Sequence, residues 1–372
     1  MLSEKSSEKS SEKSSEKSSE KSLDRRPKLR PCLNKLKPYV AGKGYVEISR
    51  KYGFKPENIV KLGSNENPYG PSPKAIRAMQ EVSPERYPEP EELIESLSRY
   101  TGYPPEMIII GAGMDGVMDT LTRLFLEKGD RTLIPYPTFS YYEILTTLCG
   151  AEPIFVERRS NFDIPVEFPK GVKMAFICSP NNPTGNPISE KDLRQIIEST
   201  DGIIFLDEAY ADFADDSMLG IVKDNDNLIV GKTMSKAFGL AGLRLGYAIA
   251  PVWIADQYRR AAPPFFGITN ASVAAGVGAL DDLDHMRRSV AMIRSERERL
   301  LKEIGSHPSQ ANFLYIETAE PSGVVVEKFQ RKGIIIRDCR SFRGAGEHHV
   351  RVTVGTPEQN DLFLEAYRKI CG

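Results

Sequence analysis

Between Met107 and Ala250 seven short apolar runs recur, each closed by turn residues and separated from the next by a stretch of helical spacing. The runs are Met107–Ile110, Thr132–Ile134, Ile154–Val156, Met174–Cys178, Ile203–Leu206, Leu228–Val230 and Gly246–Ala250. Most are nearly continuous in apolar residues, and a strand of that kind needs cover on both faces. Strands that alternate with helices predict βαβ units, so the expected fold is α/β, with a large domain built on a mostly parallel seven-stranded sheet covered by helices. One of those helices is predicted to begin at Ser189, with Asp192 three residues on completing a capping-box pattern.

After about Asp282 the rhythm changes. A long charged helix, "DHMRRSVAMIRSERERLLKEI", precedes shorter strands at Asn312–Glu317, Gly333–Arg337 and Val350–Val354 and a final helix, which predicts a second, smaller α+β domain. The expected layout is residues 23–64 as an N-terminal arm and part of the small domain, 65–270 as the large domain, and 271–372 as the small one. The proline-bearing stretch from Pro27 to Pro73 is too irregular to stand alone, so it is expected to pack on the small domain or reach a partner subunit. Residues 1–22 hold five copies of Ser-Glu-Lys-Ser. That repeat has nothing apolar to bury and stacks like charges at i, i+4, which predicts a disordered tail without chemistry.

Charge excludes some partners. Fifty basic residues nearly cancel fifty-one acidic ones, so no global field selects nucleic acid or an anionic membrane. Any phosphate recognition must be local. The five cysteines (Cys32, Cys149, Cys178, Cys339 and Cys371) are scattered and never form a CxxC pair, which argues against a disulfide framework or a zinc site and fits a reducing cytoplasm. No apolar run approaches the ~20 residues of a membrane span, and the N-terminus shows no apolar core of a secretory signal. The four histidines suggest no metal site: His285 and His307 are isolated, and His348 and His349 would face opposite sides of a strand.

The chemistry-bearing residues cluster where strands are predicted to end. In "GKTMSKAFGLAGLRLGY" (Gly231–Tyr247), Lys236 is expected at the start of a helix in a charge-poor setting, where desolvation frees an amine for Schiff-base chemistry. A structural or phosphate-contacting lysine is the other reading of a lone Ser-Lys pair. Thr233, Ser235 and Arg244 shift the balance, because two hydroxyls and a guanidinium around one point suit a phosphate ester. An aldehyde cofactor bearing a phosphate satisfies both halves. Asp207 closes the run "GIIFLDEAY", at the strand end where open α/β sheets bind ligands. A carboxylate there can keep a pyridine nitrogen protonated, although a helix cap or an ion pair is the plainer use. Tyr210 can donate its phenol to a ring oxygen or simply fill core. Asn182 in "SPNNPTG" can hydrogen-bond the same oxygen or serve only the turn. "IIIGAGMDG" (Ile108–Gly116) reads as strand, tight turn and helix, an arrangement that offers amides to a phosphate. Its spacing is not the dinucleotide fingerprint.

Together these motifs resemble the fold-type I family of pyridoxal-phosphate enzymes, with an aspartate aminotransferase-like fold, and within it the class II aminotransferases that act on histidinol phosphate. The resemblance rests on "LKPYVAGK" (Leu36–Lys43), "VKLGSNENPYGPSP" (Val60–Pro73), "RYPEP" (Arg86–Pro90), "SPNNPTG" (Ser179–Gly185), "FLDEAYADF" (Phe205–Phe213), "TMSKAFGLAGLRLGY" (Thr233–Tyr247), "IIIRDC" (Ile334–Cys339) and "VRVTVGT" (Val350–Thr356). It implies pyridoxal 5'-phosphate as cofactor. Lys236 would be its covalent anchor and the proton shuttle, Asp207 the partner of its ring nitrogen, Tyr210 and Asn182 contacts to its ring hydroxyl, and Phe139 of "YPTFSYY" the stacking ring. Thr233, Ser235, Arg244 and the amides near Met114 and Asp115 would hold its phosphate, and Asn67 would lie in the segment reaching a neighbouring subunit's cofactor phosphate, implying a homodimer. Arg337 and Arg351 would bind the acid groups of glutamate and histidinol phosphate, with Tyr39 at the substrate phosphate.

The chain departs from the family where a G-x-G-[SA]-D-E turn is usual: "GAGMDG" lacks the hydroxyl or alanine and the final glutamate. The implied reaction is amino transfer from glutamate to imidazole-acetol phosphate, giving histidinol phosphate and 2-oxoglutarate in histidine biosynthesis. Threonine-phosphate decarboxylation, broad aromatic amino transfer, and a cofactor-binding regulator without turnover are the alternatives. The regulator lacks support, since no helix-turn-helix segment accompanies the motifs.

Overall fold

The computed structural model describes residues 28–372. The repeat tail expected over residues 1–22 lies outside the described residues. Of the described residues, 28–36 belong to one unit and carry a 3-10 turn at Pro31–Lys35; Lys37–Gly372 form the second.

The second unit is organised by three sheets. A two-residue strand β1 (Val60–Lys61) is followed by β2 (Ile108–Ala112), β3 (Arg131–Tyr136), β4 (Glu152–Glu157), β5 (Met174–Cys178), β6 (Ile203–Asp207), β7 (Leu228–Thr233) and β8 (Leu245–Ile249). Strands β2 to β8 make one seven-stranded sheet in the order β2-β8-β7-β6-β5-β3-β4. All seven expected strands are present. The sheet is mostly parallel, as predicted, with β8 alone antiparallel to both its neighbours.

Two-residue alternation explains the double cover. Phe176 and Cys178 of β5 and Phe205 of β6 face one apolar cluster, with Tyr142 and Leu145 of the helix Tyr141–Cys149 and Val117 and Leu121 of the helix Gly113–Phe125. Ile177, Ile204 and Leu206 face the opposite cluster, with Leu93 and Leu97 of the helix Pro90–Thr101 and Leu193 and Ile196 of the helix Glu190–Glu198. Adjacent residues of one strand thus enter different cores, which is why the runs lack polar alternation. β5 to β8 are buried throughout, whereas β4, at the sheet margin, is only partly covered. The Ser189 cap forms as expected, its Oγ accepting from the Asp192 amide at 3.0 Å.

The remaining strands are β9 (Phe313–Glu317), β10 (Ile334–Ile335), β11 (Arg337–Asp338) and β12 (His349–Thr353). The order β11-β12-β9 gives a three-stranded antiparallel sheet, preceded in the chain by the long helix Leu283–Ile304. The single strand expected over Gly333–Arg337 divides: Ile334 and Ile335 pair in parallel with Val60 and Lys61, while Arg337 pairs with Arg351. The extended segment around residues 60–65 therefore packs on the C-terminal strands, and Leu62 O accepts from the Thr353 amide at 2.8 Å.

Candidate active site

The parallel strands of the large sheet all end at one edge, and β8, running the other way, begins there. Ala112, Tyr136, Cys178, Asp207 and Thr233 are the last residues of β2, β3, β5, β6 and β7, and Arg244 immediately precedes β8. The side chains and turns beyond that edge enclose a cavity of about 320 Å³, within the size range of small-molecule sites. Met114, Asp115, Phe139, Asn182, Asp207, Tyr210, Thr233, Ser235, Lys236 and Arg244 line it, joined by Tyr39, Arg337 and Arg351. Thirteen candidates from distant parts of the chain thus share one space.

Lys236 sits in a turn between β7 and β8, not at the start of a helix. The turn is tied by its own backbone: Gly239 donates to Lys236 O at 3.1 Å and Leu240 to Met234 O at 3.0 Å. No helix can continue from it, because Gly239 adopts φ +70° and the chain must return into β8. The Lys236 Nζ donates to Ser64 O at 3.3 Å, and among the described residues no carboxylate forms an ion pair with it. Burial, reinforced by the nearby Arg351 guanidinium, pulls its ammonium down to about 8, so an appreciable minority is neutral amine near physiological pH.

Asp207 is the converse case. Burial pushes its carboxyl up to about 6, opposed by hydrogen bonds from Tyr142 Oη at 2.6 Å and the Ala209 amide at 3.0 Å. Tyr142 is itself fixed by stacking on Phe176, with centroids 4.7 Å apart. A buried carboxylate held by two neutral donors suits a protonated ring nitrogen as its charged partner.

At the other end of the cavity, the helix Gly113–Phe125 points its first turn, with Met114 and Asp115, at the space. Gly246 permits this approach, since a Cβ there would lie 2.3 Å from the Met114 amide nitrogen. Arg244 takes a left-handed φ of +49°, and its guanidinium meets Asp115 at 2.8 Å. Thr233 Oγ1 and Ser235 Oγ are 3.0 Å apart. Hydroxyls, a guanidinium and free helix amides form a donor set for a phosphate. A partly neutral lysine, a buried carboxylate and this phosphate cradle fit pyridoxal 5'-phosphate. The substitution of methionine and glycine in the "GAGMDG" turn leaves the amides in place.

Arg337 and Arg351 face each other directly across β11 and β12. Arg351 donates from one nitrogen to Asn182 Oδ1 at 2.5 Å and from another to Gly63 O at 3.0 Å, while its Nε is buried without a partner. Arg337 donates to Val40 O at 2.6 Å and Ser341 Oγ at 2.9 Å. Burial, and then the charge of Arg351, lowers the Arg337 guanidinium from its ordinary value. Like charges opposed across a ladder destabilise each other, so the pair calls for anionic ligands. Tyr39, about half exposed, meets the Phe139 ring edge-on with centroids 6.0 Å apart.

Asn67 does not belong to this set. Its Nδ2 donates to Ala237 O at 2.9 Å and Ser289 Oγ at 3.1 Å, and its Oδ1 accepts from the Tyr69 amide at 3.0 Å. The side-chain amide is buried and engaged within its own chain. Sequence reasoning also missed Tyr142, Ser64 and Asn65. Tyr142 stands three residues after Phe139, one turn on, and that spacing was its available signal.

Residues 57–366 match the family described as aminotransferase class I and II. The chain belongs to that family. The aminotransferase is 48% identical over 345 residues to histidinol-phosphate aminotransferase of Methanosarcina mazei, covering 89% of this chain and 94% of that one. Histidinol-phosphate aminotransferase from Sinorhizobium meliloti, solved in complex with pyridoxal-5'-phosphate, superposes with a TM-score of 0.82 at 23% identity, covering 94% of this chain and 99% of the other. L-threonine-O-3-phosphate decarboxylase from Porphyromonas gingivalis superposes at 0.75 with 21% identity, covering 84% and 99%. These two likenesses establish the shared fold, and the fold does not separate transaminase from decarboxylase.

Proposed function

We propose that the aminotransferase transfers the amino group of glutamate to imidazole-acetol phosphate, giving L-histidinol phosphate and 2-oxoglutarate, as a step of histidine biosynthesis. The observation that carries the substrate is the likeness to the Methanosarcina mazei enzyme along nearly its whole length. The buried arginine pair supports it physically, because both amino donors are acids and a planar guanidinium binds a carboxylate or a phosphate monoester in two-pronged fashion.

Bound pyridoxal phosphate supplies an aldehyde for the amine and an electron-poor ring that stabilises a carbanion. The protein's part is anchorage, orientation and proton transfer. Lys236 Nζ, partly neutral, is the base that takes a proton from the substrate α-carbon and returns it. Asp207 holds a proton on the ring nitrogen, and Tyr210 and Asn182 address the ring oxygen. Phe139 covers a ring face. Thr233, Ser235, Arg244 and the amides of Met114 and Asp115 hold the phosphate. Arg337, Arg351 and Tyr39 orient the substrate's acid groups.

A homodimer is part of this reading. It is supported by the exposed Tyr87 ring stacked on Phe265, and by left-handed backbone at both Phe265 and Phe266, an apolar feature suited to a subunit contact. The division into an arm to residue 64 and lobes meeting near residue 270 is proposed on the separate sheets, with β1 of the arm paired to β10. Among the described residues no helix is long and apolar enough to cross a membrane. A cytoplasmic location is proposed on the buried, unbridged thiols of Cys178 and Cys339.

The test is to mix cofactor-loaded enzyme with histidinol phosphate and follow the bound cofactor's absorbance as it passes to its aminated form. Conversion by aromatic amino acids alone would reject the assignment. Carbon dioxide release from threonine phosphate without amino transfer would replace it with the decarboxylase.

A further inference from the structure

We propose that Asn65 is a positioning residue that makes Tyr210 a hydrogen-bond donor into the cavity, with Thr353 setting the orientation of the Asn65 amide. Asn65 is 1% exposed and held in the left-handed region at φ +54°, where asparagine is among the few side chains readily accommodated. Thr353 Oγ1 accepts from the Asn65 backbone amide at 2.9 Å and donates to Asn65 Oδ1 at 3.1 Å. A hydroxyl has one hydrogen, so these two bonds assign its polarity. The carbonyl end of the side chain is thereby taken, and Nδ2 faces Tyr210 Oη at 3.0 Å, where it can only donate.

The consequence falls on Tyr210. Its oxygen accepts from Asn65, and among the described residues no acceptor takes its own hydrogen. Tyr210 lines the cavity, so that hydrogen is left for whatever binds there. Thr353 lies two residues beyond Arg351 on β12, and Asn312 fixes the Asn65 carbonyl at 3.2 Å. The strand that carries a substrate-binding arginine therefore also sets the direction of a cofactor-facing hydroxyl.

This inference rests on the proposed contact of Tyr210 with the cofactor's ring oxygen. A donor to that oxygen favours its ionised form, so losing the donor raises the pH at which the bound cofactor gives up its proton. The experiment is a pH titration of the visible absorbance of cofactor-loaded wild type, Tyr210→Phe, Asn65→Asp, Asn65→Gly and the Tyr210→Phe/Asn65→Asp double variant. Asn65→Asp replaces the hydrogen-bond donor that meets the phenol oxygen by an acceptor and turns the tyrosine hydrogen away from the cavity. Tyr210→Phe is expected to raise the midpoint by about one pH unit, the order set by one hydrogen bond to an ionised form. Asn65→Asp should reproduce most of that shift and add nothing in the double variant. Asn65→Gly, which suits the left-handed backbone, should shift it less in the same direction. A shift in Tyr210→Phe with none in either single Asn65 variant overturns the proposal while leaving the Tyr210 contact standing. No shift in Tyr210→Phe overturns that contact and this proposal with it. If the buried carboxylate prevents Asn65→Asp from folding, the glycine variant decides: a raised midpoint supports the inference and an unchanged one sinks it.

Discussion

At the edge of the seven-stranded sheet Asp207 and Thr233 stand where their strands stop, whereas in the three-stranded sheet Arg337 and Arg351 stand opposite each other within paired strands. The first region is held by the ladders of the large sheet, which need no ligand. Its ionisable groups are shifted toward neutrality, with the Asp207 carboxyl near 6 and the Lys236 ammonium near 8. The second region concentrates two positive charges that repel until an acid arrives. On the proposed roles, a cavity built this way separates retention of a cofactor from capture of substrates, and the two halves can be perturbed apart.

The largest effect is expected at Lys236. Lys236→Ala should lower turnover by about 10⁴-fold or more with every amino donor, because it removes the proposed covalent anchor and proton carrier. Single-turnover absorbance with histidinol phosphate measures this, and normal conversion would dissolve the distinction between the two regions. Next comes Arg351→Ala, expected to lower kcat/KM by roughly 10²–10³-fold for acidic donors through loss of charge-assisted bonds, while the cofactor stays bound. Loss of cofactor absorbance in that variant would mean that the small sheet serves retention as well.

Arg244→Ala should do the opposite and weaken cofactor retention by about 10- to 100-fold, with kcat at saturating cofactor little changed. Dialysis followed by absorbance reads this out. The smallest effect crosses between the regions. Capture of pyridoxal phosphate by the cofactor-free protein should rise with pH, with a midpoint near 8, since the Lys236 amine reacts only when neutral. Burial is the main cause of that low value and Arg351 the next, so Arg351→Gln should move the midpoint upward by a fraction of a unit. A downward movement would contradict the charge coupling.

Much of the first region was legible in the sequence. Apolar runs ending in Asp207, in "SPNNPTG" or in "KTMSK" carry their own boundaries, because period-two burial and turn chemistry are local. Lys236 was misplaced on a helix because small residues and an apolar run also suit a tight turn. The second region was legible in its arginines through family resemblance, but not in their register. Nothing near "IIIR" says that Ile336 separates two pairings, or that Arg337 will face Arg351. Asn67 and Asn65 sit two positions apart in one motif, yet only one lies against the cavity. Their difference is a backbone torsion and a set of distant partners: Ala237 and Ser289 for one, Thr353 and Tyr210 for the other.

By itself the sequence determined the alternation of strand and helix, the edge at which ligands gather and the residue types able to hold a phosphorylated aldehyde. These follow from hydrophobic period and from turns, which act over a few residues. Only the tertiary structure decided how charged those residues are and which way their hydrogens point. A lysine's proton affinity depends on burial and on an arginine from another sheet, and a phenol's polarity on an asparagine and a threonine brought to it by the fold; such fields and contacts act through space, where sequence order sets no distance.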